Sequence, residues 1–221
     1  MGVEVVSAER AVAQVQRGDT VMVGGFGLVG APLTLIEALV ASERARELTI
    51  VSNNLGEPSR GLGALLLAGG VRRAIGSYFT SNPDVVAAHA RGEIEVDLLP
   101  QGTLSEAIRS GGAGLGGFYT PTAVGTKLAD GREEREIEGV RYLLQTSLRA
   151  DVALIRARTA DALGNLVYDK TARNFNPDMA TAAKVVVAEV DAIVPAGTIA
   201  PERVATPHLF VDYLVRAKVT L

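Results

Sequence analysis

The chain has 221 residues, 48% of them hydrophobic, enough to bury a sizeable core as one large domain or two small ones. A formal net charge of -3 with no basic block argues against a nucleic-acid role, and zero Cys excludes disulfides and thiolate chemistry while fitting a reducing, cytoplasmic compartment. The amino terminus, MGVEVVSAERAVAQV, lacks a signal-peptide pattern and the longest apolar runs fall short of a membrane span, so a soluble intracellular protein with no membrane partner is expected.

In chain order, Ser7 is placed to cap a helix whose apolar face is Ala8, Ala11, Val12 and Val15, closed by Gly18. A strand over Val21 to Val23 runs into GGFGLVGAP, Gly24 to Pro32. Pro32 suits the first turn of a helix over Leu33 to Ala41, with Leu35, Ile36, Leu39 and Val40 in one buried stripe. Strand, glycine loop and helix thus follow in the order of a phosphate-binding βα turn. Leu48 to Ser52 reads as a second strand ending at Asn53 and Asn54, Leu62 to Ala68 as a helix, and Ala74 to Phe79 as a third strand. Pro83 to Arg91 reads as a helix, and residues 92 to 100 alternate like a strand and stop at Pro100. Thr103 with Glu106 forms a capping box that predicts a short helix over Leu104, Ala107 and Ile108, ended by Gly111 and Gly112. Ala113 to Thr122 has the composition of a shaped loop. Four β-then-α repeats are the pattern of an α/β fold with an open, mostly parallel sheet flanked by helices.

The second half changes character. Asp130 to Glu138 is charged and reads as a solvated hairpin between Thr126 and Tyr142. Ala150 to Arg158 and Asn165 to Tyr168 predict strands joined by a turn at Asp161 to Gly164. Thr171 to Thr181 is polar and irregular, Lys184 to Val194 is a long β-branched strand, and Leu209 to Val215 is a last strand or edge. No linker rich in Pro, Gly or Ser interrupts the chain, so residues 1 to 221 are taken as one domain.

Two groups of residues carry chemistry. Gly24, Gly25, Gly27 and Gly30 let backbone amides approach an anion at a helix amino end, although a tight turn alone would also need them. The loop is neither the dinucleotide fingerprint nor a Walker sequence. Asn53, Asn54 and Gln101 fall at carboxyl ends of predicted strands, where open α/β sheets place ligands. Taken singly they are equally ordinary turn formers. Together their neutral amides suit a developing oxyanion on a thioester or anhydride carbonyl, where one donor is worth ~3 kcal/mol in the transition state. His89, His208 and the pair Glu93 and Glu95 make neither a metal constellation nor a triad.

GGFGLVGAP, SNN, LLPQGTLSEAIRSGGAGLGGFYTPTAVGT, ADVALIRAR and GNLVYDKTARNFNPDMATAA, in that order over nearly the whole chain, resemble the α subunit (the A-subunit) of the 3-oxoacid and short-chain acyl-CoA transferases, the family I CoA-transferases. The resemblance implies an α/β domain in each of two subunits, an active site between them, and a catalytic glutamate in a Ser-Glu-Asn-Gly motif of the β subunit. That motif is absent here, and Glu57, in Leu-Gly-Glu-Pro, does not match it. A non-nucleophile subunit, active only with β in a heterodimer or heterotetramer, is therefore implied. Gly24, Gly25, Phe26, Gly27, Leu28, Val29 and Gly30 match the family's coenzyme A signature, and Asn53 and Gln101 match polar residues lining the acyl site. Val29 replaces a common Cys, Arg17 stands where Asp or Asn is usual, and Leu55 where Ala is common. The implied reaction moves coenzyme A between a short-chain acyl-CoA, succinyl-CoA or acetyl-CoA, and a 3-oxoacid such as acetoacetate, through a glutamyl-CoA intermediate on β. Acyl-CoA is then a substrate, and no permanently bound cofactor or metal is implied. TSNPD, 80 to 84, is similar to acetate and acetoacetate members more than to the 3-oxoadipate branch. The alternatives are a 3-oxoadipate CoA-transferase α subunit, a sugar-phosphate isomerase or sensor on a related sheet, or a non-catalytic scaffold. The lack of a placed acid and base pair speaks against the sugar-phosphate reading, and the intact Asn53 and Gln101 against the scaffold.

Overall fold

Apolar strands punctuated by glycine-rich turns build a nine-stranded sheet in the computed structural model, which describes residues 3–218. Its strands lie in the order β1 (Glu4–Val5), β12 (Tyr213–Arg216), β11 (Ala183–Val194), β9 (Ala150–Asp161), β2 (Thr20–Val23), β3 (Leu48–Val51), β4 (Val71–Gly76) and β5 (Glu95–Leu98). All of these pairs are parallel, and β10 (Leu166–Val167) pairs antiparallel with the end of β9. Helices α1 (Ala8–Val12), α2 (Leu33–Ala41), α3 (Leu62–Leu67), α4 (Pro83–Ala90), α5 (Gln101–Gly112) and α6 (Asn176–Thr181) accompany it. One core cluster gathers Val21, Val23, Ile50, Leu35, Leu39 and Leu65; the other gathers Met22, Val51, Leu104, Ile108, Ile155 and Met179. Adjacent residues of one strand enter different cores, so the central strands are apolar on both faces, as a parallel sheet under helices requires. The expected α/β sheet is thereby observed.

Chain order explains where ligands can gather. From β2 the chain steps outward through β3, β4 and β5, then returns to β9 on the opposite flank of β2. Strand order reverses between β2 and β9, and the loops at the carboxyl ends of all these parallel strands share one edge.

Several local expectations need correction. The first helix keeps its Ser7 cap but ends at Val12, and Gly18, at φ 83°, instead serves the turn into β2. β4 lies three residues earlier than Ala74 to Phe79, because Val71 pairs with Leu48. Thr103 does not cap α5: the helix starts at Gln101, its first turn closed by Leu104 N–H on the Pro100 carbonyl at 2.9 Å, and Thr103 is buried. The stretch expected as a loop contains β6 (Gly117–Thr120), which joins β8 (Val140–Thr146) and β7 (Glu134–Ile137) in a separate antiparallel sheet. Its partner Gln145 faces Phe118 from far along the chain, a pairing no local window contains. The charged hairpin itself is present, as β7 and β8. Within the expected irregular segment, Asn176–Thr181 is helical, and Lys170–Arg173 just overlaps it as a 3-10 turn.

Candidate active site

Four neighbouring strands deliver the candidate residues to one edge. β2 runs into the glycine loop, β3 into Ser52 and Asn53, β4 into Ser77, and β5 through Pro100 into Gln101. Parallel strands stand about 4.8 Å apart, so these termini form a row. Ser52 Oγ ties two of them by donating to the Val23 carbonyl at 2.7 Å.

Asn53 and Gln101, 48 residues apart in sequence, touch. Asn53 is 1% exposed, and its Nδ2 donates to Gln101 Oε1 and to Ser77 Oγ, each at 2.8 Å. Ser77 Oγ also hydrogen-bonds Gln101 Oε1. Gln101 is exposed, and with Oε1 facing two donors its Nε2 is turned outward. As the first residue of α5 it also stands where the N–H groups of Gln101, Gly102 and Thr103 meet no side chain or carbonyl among the described residues. An outward amide beside an uncapped helix amino end is suited to negative charge on a ligand oxygen. Asn54, by contrast, turns its Oδ1 to Gly56 N–H at 3.2 Å and shapes its own loop.

The glycine loop is built differently from what the βα pattern suggests. The anion at the amino end of α2 is the protein's own: Leu35 N–H donates to Glu189 Oε2 at 3.1 Å. Glu189, on β11, is 0% exposed and ion-paired with Arg156, its register neighbour on β9, which also pairs with Asp191. Burial pushes the Glu189 carboxyl above its ordinary value, while Leu35 N–H, Arg156 and Thr34 pull it down. The Leu35 N–H is thereby taken by the protein's own carboxylate. The loop's own tip is a two-residue turn in which Phe26 N–H and Val29 N–H each donate to the other's carbonyl, at 2.9 and 3.2 Å. Gly27, at φ 62°, permits that turn, and a Cβ there would meet nothing within 4 Å. The Gly27 and Leu28 N–H groups donate to no described residue. Phe26 and Val29 are about half exposed, at 54% and 48%.

Residues unnoticed in the sequence hold this loop. Asn174 accepts from Gly25 N–H at 3.1 Å and donates to the Val29 carbonyl at 3.0 Å, fastening both shoulders of the tip. Asn176 Nδ2 donates to the Gly30 carbonyl at 3.1 Å, and a Cβ on Gly30 would overlap the Ala172 carbonyl oxygen. The Asn-Phe-Asn spacing in an otherwise irregular stretch was the available signal; for Ser77 and Glu189, the signals were a hydroxyl at a strand end and an acid that, with Asp191, interrupts a β-branched strand. Behind the loop, at the β2/β9 reversal, a cleft of about 260 Å³ is lined by Gly30, Arg156, Arg158, Asp169 and Asp191 among others. Arg158 pairs with Asp169 at 2.9 Å, so the cleft is charge-balanced. Among the described residues no cluster of acids and His could hold a metal ion, and no helix is long and apolar enough to cross a membrane.

A family model described as Coenzyme A transferase matches residues 5–217. The chain belongs to this family. It is 50% identical over 198 residues to the A-subunit of a succinyl-CoA:3-ketoacid coenzyme A transferase from Xanthomonas campestris pv. campestris (strain B100), covering 90% of this chain and 81% of that one. To the A-subunit of a 3-oxoadipate CoA-transferase from Pseudomonas putida it is 47% identical over 211 residues, covering 95% and 91%. Identities this close do not separate the two named substrates, so the pointer in TSNPD finds no support from them. A solved acyl-CoA transferase from Escherichia coli O157:H7, in a thioester complex with CoA, superposes with a TM-score of 0.90 at 24% identity. That likeness concerns the fold; this coenzyme A transferase chain covers 48% of it and is itself covered in full.

Proposed function

We propose that this chain is the α subunit of a cytoplasmic CoA-transferase that moves coenzyme A between succinyl-CoA or acetyl-CoA and a 3-oxoacid such as acetoacetate, with the nucleophilic glutamate supplied by a β subunit. The observation that carries the reading is Gln101: its Nε2 faces outward at an uncapped helix amino end, and the amides around it are neutral. Such a site stabilises an oxyanion and, among the described residues, brings no carboxylate nucleophile to it. Glu57, the nearest acid in sequence to Asn53, is exposed and hydrogen-bonded to Arg60.

Each step then has a place for charge. A partner carboxylate attacks the thioester carbonyl, expelling the CoA thiolate and leaving a mixed anhydride. The thiolate attacks the glutamyl carbonyl of that anhydride, releasing the first acid as a carboxylate and forming glutamyl-CoA, and the second carboxylate reverses the sequence. Every addition places negative charge on a carbonyl oxygen, which Gln101 Nε2 and the amino end of α5 would meet. Asn53, buried and with its donor nitrogen turned inward, would serve the acyl site by holding Gln101 and not as a direct oxyanion donor. The Gly24 to Gly30 loop would meet acyl-CoA through the Gly27 and Leu28 amides and the apolar Phe26 and Val29. Partnership with β is supported by relatives that are themselves named as one subunit of a transferase. A 3-oxoadipate acceptor is the second reading, favoured by the 47% identity to the Pseudomonas putida protein.

The test is an assay of the purified chain alone and with its β partner, using succinyl-CoA or acetyl-CoA against acetoacetate and 3-oxoadipate. Transfer is expected only from the pair, with acetoacetate the better acceptor. Turnover by the chain alone would overturn the division of labour, and preference for 3-oxoadipate would select the second reading.

A further inference from the structure

We infer that Ser77 is a positioning residue for the reaction proposed above, its hydroxyl setting the orientation in which Gln101 presents its amide. The catalytic consequence rests on that proposed function; the geometry rests on the hydrogen bonds alone. Ser77 directly follows β4, and its N–H donates to the Asn53 carbonyl at 3.0 Å, so the sheet places its Oγ. Polarity then orders the contacts. Asn53 Nδ2 donates to Ser77 Oγ at 2.8 Å, which leaves the single hydroxyl proton of Ser77 for an acceptor. Two acceptors are in reach: Gln101 Oε1, in close contact, and the Asn53 carbonyl, at a long 3.4 Å. The shorter contact takes the proton, and the chain of donation runs from Asn53 through Ser77 to Gln101.

This relay has two effects on an exposed side chain that would otherwise sample several rotamers. Together with the direct Asn53 Nδ2 bond at 2.8 Å it locks Oε1 inward, because reversing the Gln101 amide would set its N–H groups against two donors, Asn53 Nδ2 and the Ser77 hydroxyl, of which the hydroxyl makes the closer contact. Donation onto Oε1 also polarises the amide and makes the outward Nε2 a stronger donor, the cooperative strengthening of linked hydrogen bonds. Ser77 itself stays behind Gln101 and need touch no substrate.

The experiment uses the assembled two-subunit enzyme. Ser77→Ala is expected to lower kcat roughly tenfold, with KM for acyl-CoA changed by no more than about twofold, as for the loss of one neutral hydrogen bond felt in the transition state. Ser77→Thr, which keeps the hydroxyl, is expected to restore kcat. In a Gln101→Ala background Ser77→Ala should cause no further loss, since its effect passes through Gln101. Full kcat in Ser77→Ala, an additive loss in the double variant, or failure of Thr to rescue would each overturn the inference. Crystal structures of the assembled variants read the geometry without turnover: Gln101 should leave its rotamer in Ser77→Ala and keep it in Ser77→Thr. An unmoved Gln101 in Ser77→Ala overturns the inference, whereas absence of CoA transfer by the assembled wild type sinks the proposed function and leaves this structural test standing.

Discussion

Two helices begin at the same sheet edge and offer opposite electrostatics to a ligand. At α2, which follows the glycine loop, the amino end is occupied by the buried Glu189 carboxylate, itself neutralised by Arg156. At α5 the first three N–H groups are uncapped, and Gln101 adds an outward amide held by Asn53 and Ser77. Both ends have the same positive dipole. They differ in whether the protein itself supplies the negative charge: at α2 it does, whereas the α5 end is open, and there the proposed function puts the charge of a ligand. A glycine-rich turn before a helix is therefore insufficient to locate an anion site.

Gln101→Ala in the assembled enzyme is expected to lower kcat about 100-fold or more, with little change in melting temperature because the side chain is exposed. A change confined to KM would reassign Gln101 to ground-state binding.

Glu189 supplies the stability counterpart. Glu189→Ala removes the acceptor of Leu35 N–H and leaves a gap beside Arg156, which should cost about 3 kcal/mol of unfolding free energy in denaturant titration, less where Asp191 compensates. Glu189→Gln keeps an acceptor for Leu35 N–H but leaves the Arg156 charge to Asp191, so it should cost less than Glu189→Ala while remaining less stable than wild type. The pH dependence has a definite sign. The folded chain holds the Glu189 proton more tightly than the unfolded one, so this group's contribution is fullest below the ordinary carboxyl value and declines as the pH rises through its raised folded value. Glu189→Gln should flatten that decline, and an unchanged slope would show that Glu189 is not its source.

Gly102 sharpens the contrast, because stability and activity should move apart. A Cβ there meets nothing within 4 Å, and an Asp in the first turn of α5 is favourable to the dipole by about 0.3–1 kcal/mol. Gly102→Asp is thus expected to hold or raise the melting temperature while lowering kcat/KM by about tenfold or more through repulsion of anionic substrate. Retained activity would mean that no ligand charge approaches α5.

Gly27→Asp carries the smallest effect. Asp at φ 62° costs about 1 kcal/mol of stability, since nothing crowds the position. If the loop tip meets acyl-CoA, KM for acyl-CoA should rise several-fold with the acceptor acid less affected. Unchanged acyl-CoA affinity in the folded, assembled variant would remove Gly27 from the site.

Much of this architecture was legible along the chain. The alternation of strand and helix, the Ser7 cap, the charged hairpin and the long strands at Ala150 and Lys184 all follow from periodicity and turn chemistry, which act between near neighbours. Asn53 and Gln101 were recognisable as edge residues because each follows a strand of a parallel sheet. What tertiary structure alone decided is which residues complete them. The Phe118 to Gln145 pairing, the Asn174 grip on the glycine loop and the meeting of Ser77 with Gln101 depend on partners brought in by the sheet order. Most of all, Glu189 reaches Leu35 across 154 positions of sequence. A helix's own residues determine that its amino end is positive, but whether that end is open depends on what the fold packs against it.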